Sequence, residues 1–323
     1  MNDAFAAAVS ADLARIEEEL RRAAVAESPF ATAAARHIID AGGKRFRPLL
    51  VVLAARLGLG EGPLADPGPV DRAGLVVELT HVASLYHDDV MDEASLRRGV
   101  EAANLRYGNT VSILVGDYLF SRASSIVATL GVEYVARQAA TFAELVQGQI
   151  AETQGVPEGA DPMAHYLSVL HGKTASLIAT SAVFGGMVAG LSSGQVASLD
   201  AFGARLGMAF QLHDDLLDIV SDASGKTPGT DLRAGVATLP VLLLTRTGDP
   251  ADAALFARIR AGLAVDEVDG VVQQLRHHPV IGLARSAVLD EVSAARAVLA
   301  TLPAGPARDA LDAVCDRLVD RVD

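Results

Sequence analysis

The sequence predicts an all-α fold, one large helix bundle across residues 1–323. Three observations lead there. Apolar residues recur at three- and four-residue spacing through most of the chain. No alternating strand pattern of useful length and no fixed-period repeat is present. Proline and glycine punctuate between the periodic stretches, in short clusters at 60–69, 155–162, 225–229 and 302–306.

Taken in order, the helical pattern runs through 4–22, 30–41, 72–96, 111–130, 134–152, 163–171, 174–190, 196–221 and 285–301. The first stretch follows Asp3 and carries charges through its second half, so it lacks the basic start and unbroken apolar core of a signal peptide. Residues 174–199 contain no charged side chain, a length that could span a bilayer. Its mixture of Ala, Gly, Ser and Thr, with Gly185-Gly186 and Ser192-Ser193-Gly194, predicts instead a buried central helix that breaks near Gly190. Peripheral membrane contact stays compatible with the sequence. No boundary divides the chain convincingly, which predicts one domain.

Half of the 323 residues are hydrophobic, enough for a sizeable core, while aromatics make up 4% and Trp is absent. A net charge of −13 and the lack of a basic block exclude nucleic acid as a partner. The single cysteine, Cys315, excludes an intramolecular disulfide and a cysteine metal cluster, and predicts a reducing, cytoplasmic setting.

One short self-similarity stands out: His87-Asp88-Asp89-Val90-Met91-Asp92 against His213-Asp214-Asp215-Leu216-Leu217-Asp218. In a helix, Asp88 and Asp92 share a face, with Asp89 about 100° round, and Asp214 and Asp218 repeat the arrangement around Asp215. Like charges at that spacing oppose the helix, and apolar flanks make them costlier still unless a cation is bound. With carboxylates as the only ligands, the candidate metal residues Asp88, Asp89, Asp92, Asp214, Asp215 and Asp218 predict Mg²⁺, which uses few carboxylates and completes its octahedron with substrate phosphates. Glu78-Leu79-Thr80-His81 is a single Glu-x-x-His string, and a di-iron bundle needs a second. Gly172-Lys173-Thr174 and Gly225-Lys226-Thr227 lack the earlier glycine of a nucleotide P-loop, since Leu167 and Val220 stand there.

Basic residues supply the complement. Gly42-Gly43-Lys44-Arg45-Phe46-Arg47-Pro48 ends in a proline suited to a first helical turn, which sets Lys44 and Arg47 beside free backbone N–H groups. Arg97-Arg98-Gly99 reads either as a helix end capped by glycine or as a pair of arginines clamping phosphate oxygens.

On these residues the chain resembles the polyprenyl diphosphate synthase family, the trans-isoprenyl diphosphate synthases. The resemblance rests on Gly43-Lys44-x-x-Arg47-Pro48, Leu85-Tyr86-His87-Asp88-Asp89-x-x-Asp92, Leu96-Arg97-Arg98-Gly99, Gly116-Asp117-Tyr118-Leu119 and Lys173-Thr174. It continues with Phe210-Gln211-Leu212-x-Asp214-Asp215-x-x-Asp218, Gly225-Lys226-x-x-Gly229-x-Asp231-Leu232 and Thr238-Leu239-Pro240. It implies a helix bundle of the isoprenoid synthase type around a central active-site cavity, working as a homodimer. It implies that Lys44, Arg47, His81 and Arg98 bind isopentenyl diphosphate. Arg97, Lys173, Thr174, Gln211 and Lys226 would contact the allylic diphosphate and take part in catalysis, and the aspartates would hold Mg²⁺. Where many members have Lys, this chain has Val236. The implied reaction ionises the allylic diphosphate, condenses the cation with isopentenyl diphosphate and eliminates a proton.

Product length depends on what blocks the pocket behind Asp88. Counting back along that face gives Ser84, Thr80 or His81, and Val77 or Val76, and Ala83 lies five residues upstream, where short-chain relatives carry a bulky aromatic. Tyr86 is the nearest aromatic and points about 200° away. Eleven helical residues without a plug give about 16 Å of depth, which predicts a product of about six isoprene units or more. The stop is expected on the helix after Asp117. Of the rivals, a terpene cyclase pairs its aspartate motif with an Asn/Ser/Glu motif and aromatic walls, and a non-catalytic subunit would have lost ligands.

Overall fold

The computed structural model describes residues 3–220 and 228–319. They are almost entirely helical. In chain order the helices are α1 (Asp3–Ala23), α2 (Pro29–Asp40), α3 (Phe46–Leu59) and α4 (Gly68–Met91). A small hairpin of β1 (Leu96–Arg97) and β2 (Val100–Glu101) follows, then α5 (Ala103–Tyr107), α6 (Asn109–Val127), α7 (Val132–Gln154) and α8 (Pro162–Leu170). Next come α9 (Ser176–Val188), α10 (Ser193–Val220), α11 (Thr230–Arg233) and α12 (Leu239–Leu243). The chain closes with α13 (Pro250–Ala261), α14 (Val265–Arg276), α15 (Val280–Leu299) and α16 (Pro306–Val319).

Helix starts follow simple chemistry. Ser28-Pro29, Asp161-Pro162 and Asp249-Pro250 each put a side-chain acceptor at the cap and a proline at the first helical position, and each cap accepts a backbone N–H two or three residues on. The uncharged stretch is helix α9, buried through 176–186, followed by a break at Gly190, whose φ is 66°. Among the described residues no helix is long and apolar enough to cross a membrane.

Two local readings need correction. The pattern at 72–96 overruns its helix, because α4 stops at Met91. Arg97-Arg98-Gly99 is not a helix end: Leu96 pairs with Glu101 and Arg97 with Val100, and the turn between them has φ of 53° at Arg98 and 80° at Gly99. Positive φ at both central positions defines the hairpin turn whose twist suits short antiparallel strands.

The residues group into two compact units. One holds Met1–Ala143, Leu177–Gly203 and Val298–Asp312, and the other holds Glu144–Ser176, Ala204–Ala297 and Ala313–Asp323. In the first, α4 packs most extensively on α6, and α3 is buried continuously from Leu50 to Arg56. Arg56 is ion-paired inside that core, its Nη2 2.5 Å from Oδ2 of Asp12. In the second, Leu212, Leu216 and Ile219 of α10 join Val241 and Leu242 of α12 and Val268, Val271 and Leu275 of α14 in one core.

Candidate active site

The first unit carries the first aspartate motif at the C-terminal end of α4. Asp88, Asp89 and Asp92 occupy the last turn and cap, and that turn contributes no basic residue of its own. Backbone carbonyls make that end negative, so positive charge beside these carboxylates is favoured. Asp88 is half-buried and Asp92 exposed, one turn apart. Asp89 turns inward with no exposed surface, and its Oδ1 accepts from Nε of Arg97 at 2.7 Å and Nη2 at 2.6 Å. Its Oδ2 is buried without a hydrogen-bond partner. The β1–β2 hairpin brings Arg97 there, and Arg98 beside it donates to the carbonyls of Ile38 (3.1 Å) and Gly42.

Close packing of α4 on α6 fixes the motif's depth. A Cβ at Gly116 would lie 2.2 Å from Nε2 of His87, the residue preceding Asp88. With glycine there, the His87 ring reaches the carbonyl of Ile113 at 3.1 Å and Asp117 at 3.4 Å.

Above the same helix lies a cluster of cations. Arg45, at φ 46°, donates to Glu17, to Glu78 at 3.1 Å and to the carbonyl of Ile39 at 2.9 Å. Arg98 also approaches Glu78 at 3.9 Å. The Nε of Arg47 is buried and has no hydrogen-bond partner. Burial, with Arg98 nearby, pushes the Arg47 guanidinium down to about 10. Burial, reinforced by Arg47, Arg98, Arg97 and Arg45, holds His81 well below the usual imidazole range, so the ring is neutral. Arg45 thus engages both Glu17 and Glu78, Arg98 approaches Glu78, Arg21 also pairs with Glu17, and Lys44 stands exposed beside them.

The second unit carries the second motif at the C-terminal end of α10, again without a basic residue in the last turn. Asp214 is exposed. Asp215 is buried, accepting from the Tyr166 hydroxyl and, at 3.0 Å, from Nε2 of Gln211. Burial raises its carboxyl to about 6, with Asp214 adding to the rise and the hydrogen bonds from Tyr166 and Gln211 opposing it. Gln211 in turn accepts from Oγ1 of Thr174 at 3.2 Å. Thr174 and Lys173 sit on a single π-helical turn, His171–Ala175, a distortion common at functional sites. Lys173 is ion-paired with Glu152. The carboxylate of Asp218 accepts the N–H groups of Thr230 and Asp231, both at 3.1 Å, and so caps α11. A cleft of about 590 Å³ adjoins Tyr166, Gln211 and Asp215, with Val236 and Arg260 also on its wall. Lys226 lies outside the described residues.

Within the first unit, then, Lys44, Arg47, His81, Arg97 and Arg98 gather near the first motif. Within the second, Lys173, Thr174 and Gln211 gather near the other. Asp89 and Asp215 do not share the accessible faces of their motifs, because each is buried in a hydrogen-bonded pair. Among the described residues no three acidic or imidazole side chains form a ready-made cation cage. Sequence reasoning missed Arg45, Glu152 and Tyr166. Of these only Arg45 left a signal, by standing in the basic run 44–47.

This fold and these motifs define a prenyl-transferring enzyme. The chain belongs to the polyprenyl synthetase family, whose model matches residues 28–275. It is 46% identical over 324 aligned positions to nonaprenyl diphosphate synthase of Mycobacterium tuberculosis, covering 98% of this chain and 94% of that one. It is 36% identical to a dimethylallyltranstransferase of the same organism, covering 99% and 97%. Among solved structures, geranylgeranyl pyrophosphate synthase from Corynebacterium glutamicum, complexed with calcium and isoprenyl diphosphate, aligns with a TM-score of 0.88 at 40% identity, over 99% of this chain and 98% of that one. A decaprenyl diphosphate synthase from Rhodobacter capsulatus aligns with a TM-score of 0.89 at 34% identity, over 99% of each. The all-α isoprenoid synthase fold and the prenyltransferase class follow.

Proposed function

We propose that this prenyltransferase extends an allylic diphosphate with isopentenyl diphosphate to an all-trans product of about six isoprene units or more, using Mg²⁺. The observation that carries the substrate reading is the cation cluster: a buried Arg47 nitrogen without a partner, among more guanidinium groups than the local carboxylates neutralise. Lys44, Arg47, Arg98 and neutral His81 take the diphosphate of isopentenyl diphosphate. Lys173, Thr174, Gln211 and Lys226 take the allylic diphosphate.

Asp88, Asp92, Asp214 and Asp218 are the metal ligands. Each pair, at the negative end of its own helix, fits an oxygen-seeking divalent ion that shares its coordination with substrate phosphate, since carboxylates favour hard cations and two are too few to complete the shell. Calcium and isoprenyl diphosphate bound to the Corynebacterium glutamicum enzyme support the same chemistry. When bound, Mg²⁺ neutralises the departing diphosphate. Asp89 and Asp215 hold Arg97 and the Gln211–Thr174 pair in place. The Thr174 and Gln211 oxygens steady the allylic cation, and the released diphosphate accepts the proton.

A long product is supported by the α4 wall behind Asp88, where Val76, Val77, Thr80, Ala83 and Ser84 are small or medium and buried. Tyr86 is committed elsewhere: its hydroxyl donates to the carbonyl of Ala34 and accepts from the N–H of Ile38 at 3.3 Å. The nonaprenyl synthase relative supports the same length. Residues 1–323 act as one domain, and the enzyme is a cytoplasmic homodimer. An exposed apolar stripe on α7, through Val135, Phe142, Val146 and Ile150, supports the dimer.

The test incubates purified protein with Mg²⁺, isopentenyl diphosphate and farnesyl or geranylgeranyl diphosphate, then sizes the dephosphorylated alcohols. Linear products of about six units or more, abolished by EDTA and by Asp88→Ala, are expected. A four-unit product would retain the reaction and overturn the length. No elongation from any starter would overturn both.

A further inference from the structure

The start of α4 holds a second cationic feature. Arg72 lies sixteen residues before Asp88, about 24 Å along the helix axis. A groove of about 330 Å³ is lined there by Arg22 and Glu19 of α1, Arg72 of α4 and Arg122 of α6, three guanidinium groups to one carboxylate. Arg22 is already paired, with Glu18 and Glu19. Arg122 gives only its Nε to a described acceptor, the carbonyl of Ala23 at 3.0 Å. The Nε of Arg72 is buried and has no hydrogen-bond partner. In a chain of net charge −13, arginines brought together by three helices run against the general field. Beneath them the groove wall is apolar, with Ala23, Leu75 and Ile126, and the neighbouring Val25 is more than half exposed.

A cationic rim over an apolar floor suits an amphiphile with a phosphate head. Guanidinium groups pair with phosphate oxygens, and the floor covers hydrocarbon that a small soluble anion would leave wet. We infer that the Arg72–Arg122 groove docks this enzyme on an anionic bilayer by taking the phosphate of an acidic phospholipid. The binding stands on the groove alone. Its purpose rests on the long-product reading: a tail growing from Asp88 back along α4 travels toward this end of the helix, so docking there delivers an apolar product into lipid.

Vesicle flotation tests it, with vesicles of phosphatidylcholine alone and of phosphatidylcholine and phosphatidylglycerol in equal parts. Wild-type protein is expected to float with the anionic vesicles and to be released by high salt. Each cation at an anionic surface contributes about a fivefold gain in partitioning, so Arg72→Gln with Arg122→Gln lowers it roughly 30-fold. Ser125→Glu, an exposed position lining the same groove, removes only a surface hydrogen bond to the Ser121 carbonyl one turn back and guards against a folding defect in the double variant. It is expected to weaken flotation while thermal stability and the initial rate with a short starter stay unchanged. Equal binding to both vesicle types, or flotation untouched by all three substitutions, would overturn the inference. So would groove-dependent binding of inorganic phosphate or diphosphate, read by calorimetry, in protein that does not float. A short product with intact flotation would remove the proposed purpose and leave the docking site standing.

Discussion

The Nε of Arg97 lies 2.7 Å from Oδ1 of Asp89, a carboxylate with no exposed surface, while Asp88 on the same turn remains half-open to solvent. Adjacent aspartates therefore have different physical duties. Asp89→Ala leaves Arg97 without its buried partner and is expected to destabilise the fold by on the order of 2–3 kcal/mol, reduced because Arg97 is partly exposed. Asp88→Ala is expected to leave stability within about 0.5 kcal/mol and to cut turnover roughly 100-fold or more. Thermal denaturation beside a steady-state assay separates the two. Equal melting losses would show that both carboxylates are structural.

Gly116 decides how closely α6 can approach the first motif. A methyl group there meets the His87 ring at 2.2 Å, so Gly116→Ala forces either the ring or the helix to move. Overpacking of this kind costs about 1–3 kcal/mol. Because His87 precedes Asp88, turnover should fall further than the melting temperature alone accounts for. A fully active Gly116→Ala enzyme with unchanged stability would contradict this packing.

The buried Asp215 carboxyl makes a pH prediction with a definite sign. Its value is raised to about 6 from an ordinary 3.8, mainly by burial. The folded chain therefore holds a proton that the unfolded chain has lost between about pH 4 and 6. Its stabilising contribution is complete below that window and is lost as pH rises through about 6, on the order of 3 kcal/mol in all. In metal-free protein, Asp215→Asn should remove this slope and melt at least as high as wild type near neutrality. His81, held neutral, works oppositely, contributing stability that is lost on acidification below its unfolded value. Melting curves across pH in EDTA, wild type against Asp215→Asn, isolate the aspartate. Parallel curves would refute the buried-carboxyl reading.

Product length has its own test. Ala83 and Ser84 are buried on the wall behind Asp88, and Tyr86 is tied to α2. Ala83→Phe is expected to shorten the product to four units or fewer, about a turn and a half of α4 above the motif, with condensation retained. Product sizing by chromatography reads the outcome, and an unchanged distribution would move the pocket off this face.

The exposed stripe of Val135, Phe142, Val146 and Ile150 predicts the assembly. Phe142→Glu with Ile150→Glu should convert a dimer to a monomer by light scattering. A wild-type monomer, or a dimer indifferent to both changes, would place no interface there.

Much of this was legible in one dimension. Periodicity and proline–glycine punctuation located α1, α2, α4, α6 to α10 and α15, because an amphipathic helix writes its buried face at three- and four-residue spacing. It did not display α3, which is buried on nearly every side and so has no period to read. Both aspartate motifs were recognisable because carboxylates in apolar helices demand a cation. The basic residues of 44–47 and 97–98 were recognisable by type.

Tertiary structure decided partners and directions. Spacing put Asp89 off the face of Asp88, but only the hairpin at 96–101 brings Arg97 onto it. Tyr166 and Asp215 are 49 residues apart in sequence, and no local pattern announces that one hydroxyl satisfies the other's buried oxygen. Arg45 holds Glu17 and Glu78 across 28 and 33 residues. The π turn that presents Lys173 and Thr174 likewise left no mark in the periodicity. A sequence states which face of its own helix a residue occupies. Which distant group meets that face is settled only when the helices pack, since pairing a buried charge is a requirement of the folded interior and not of the chain.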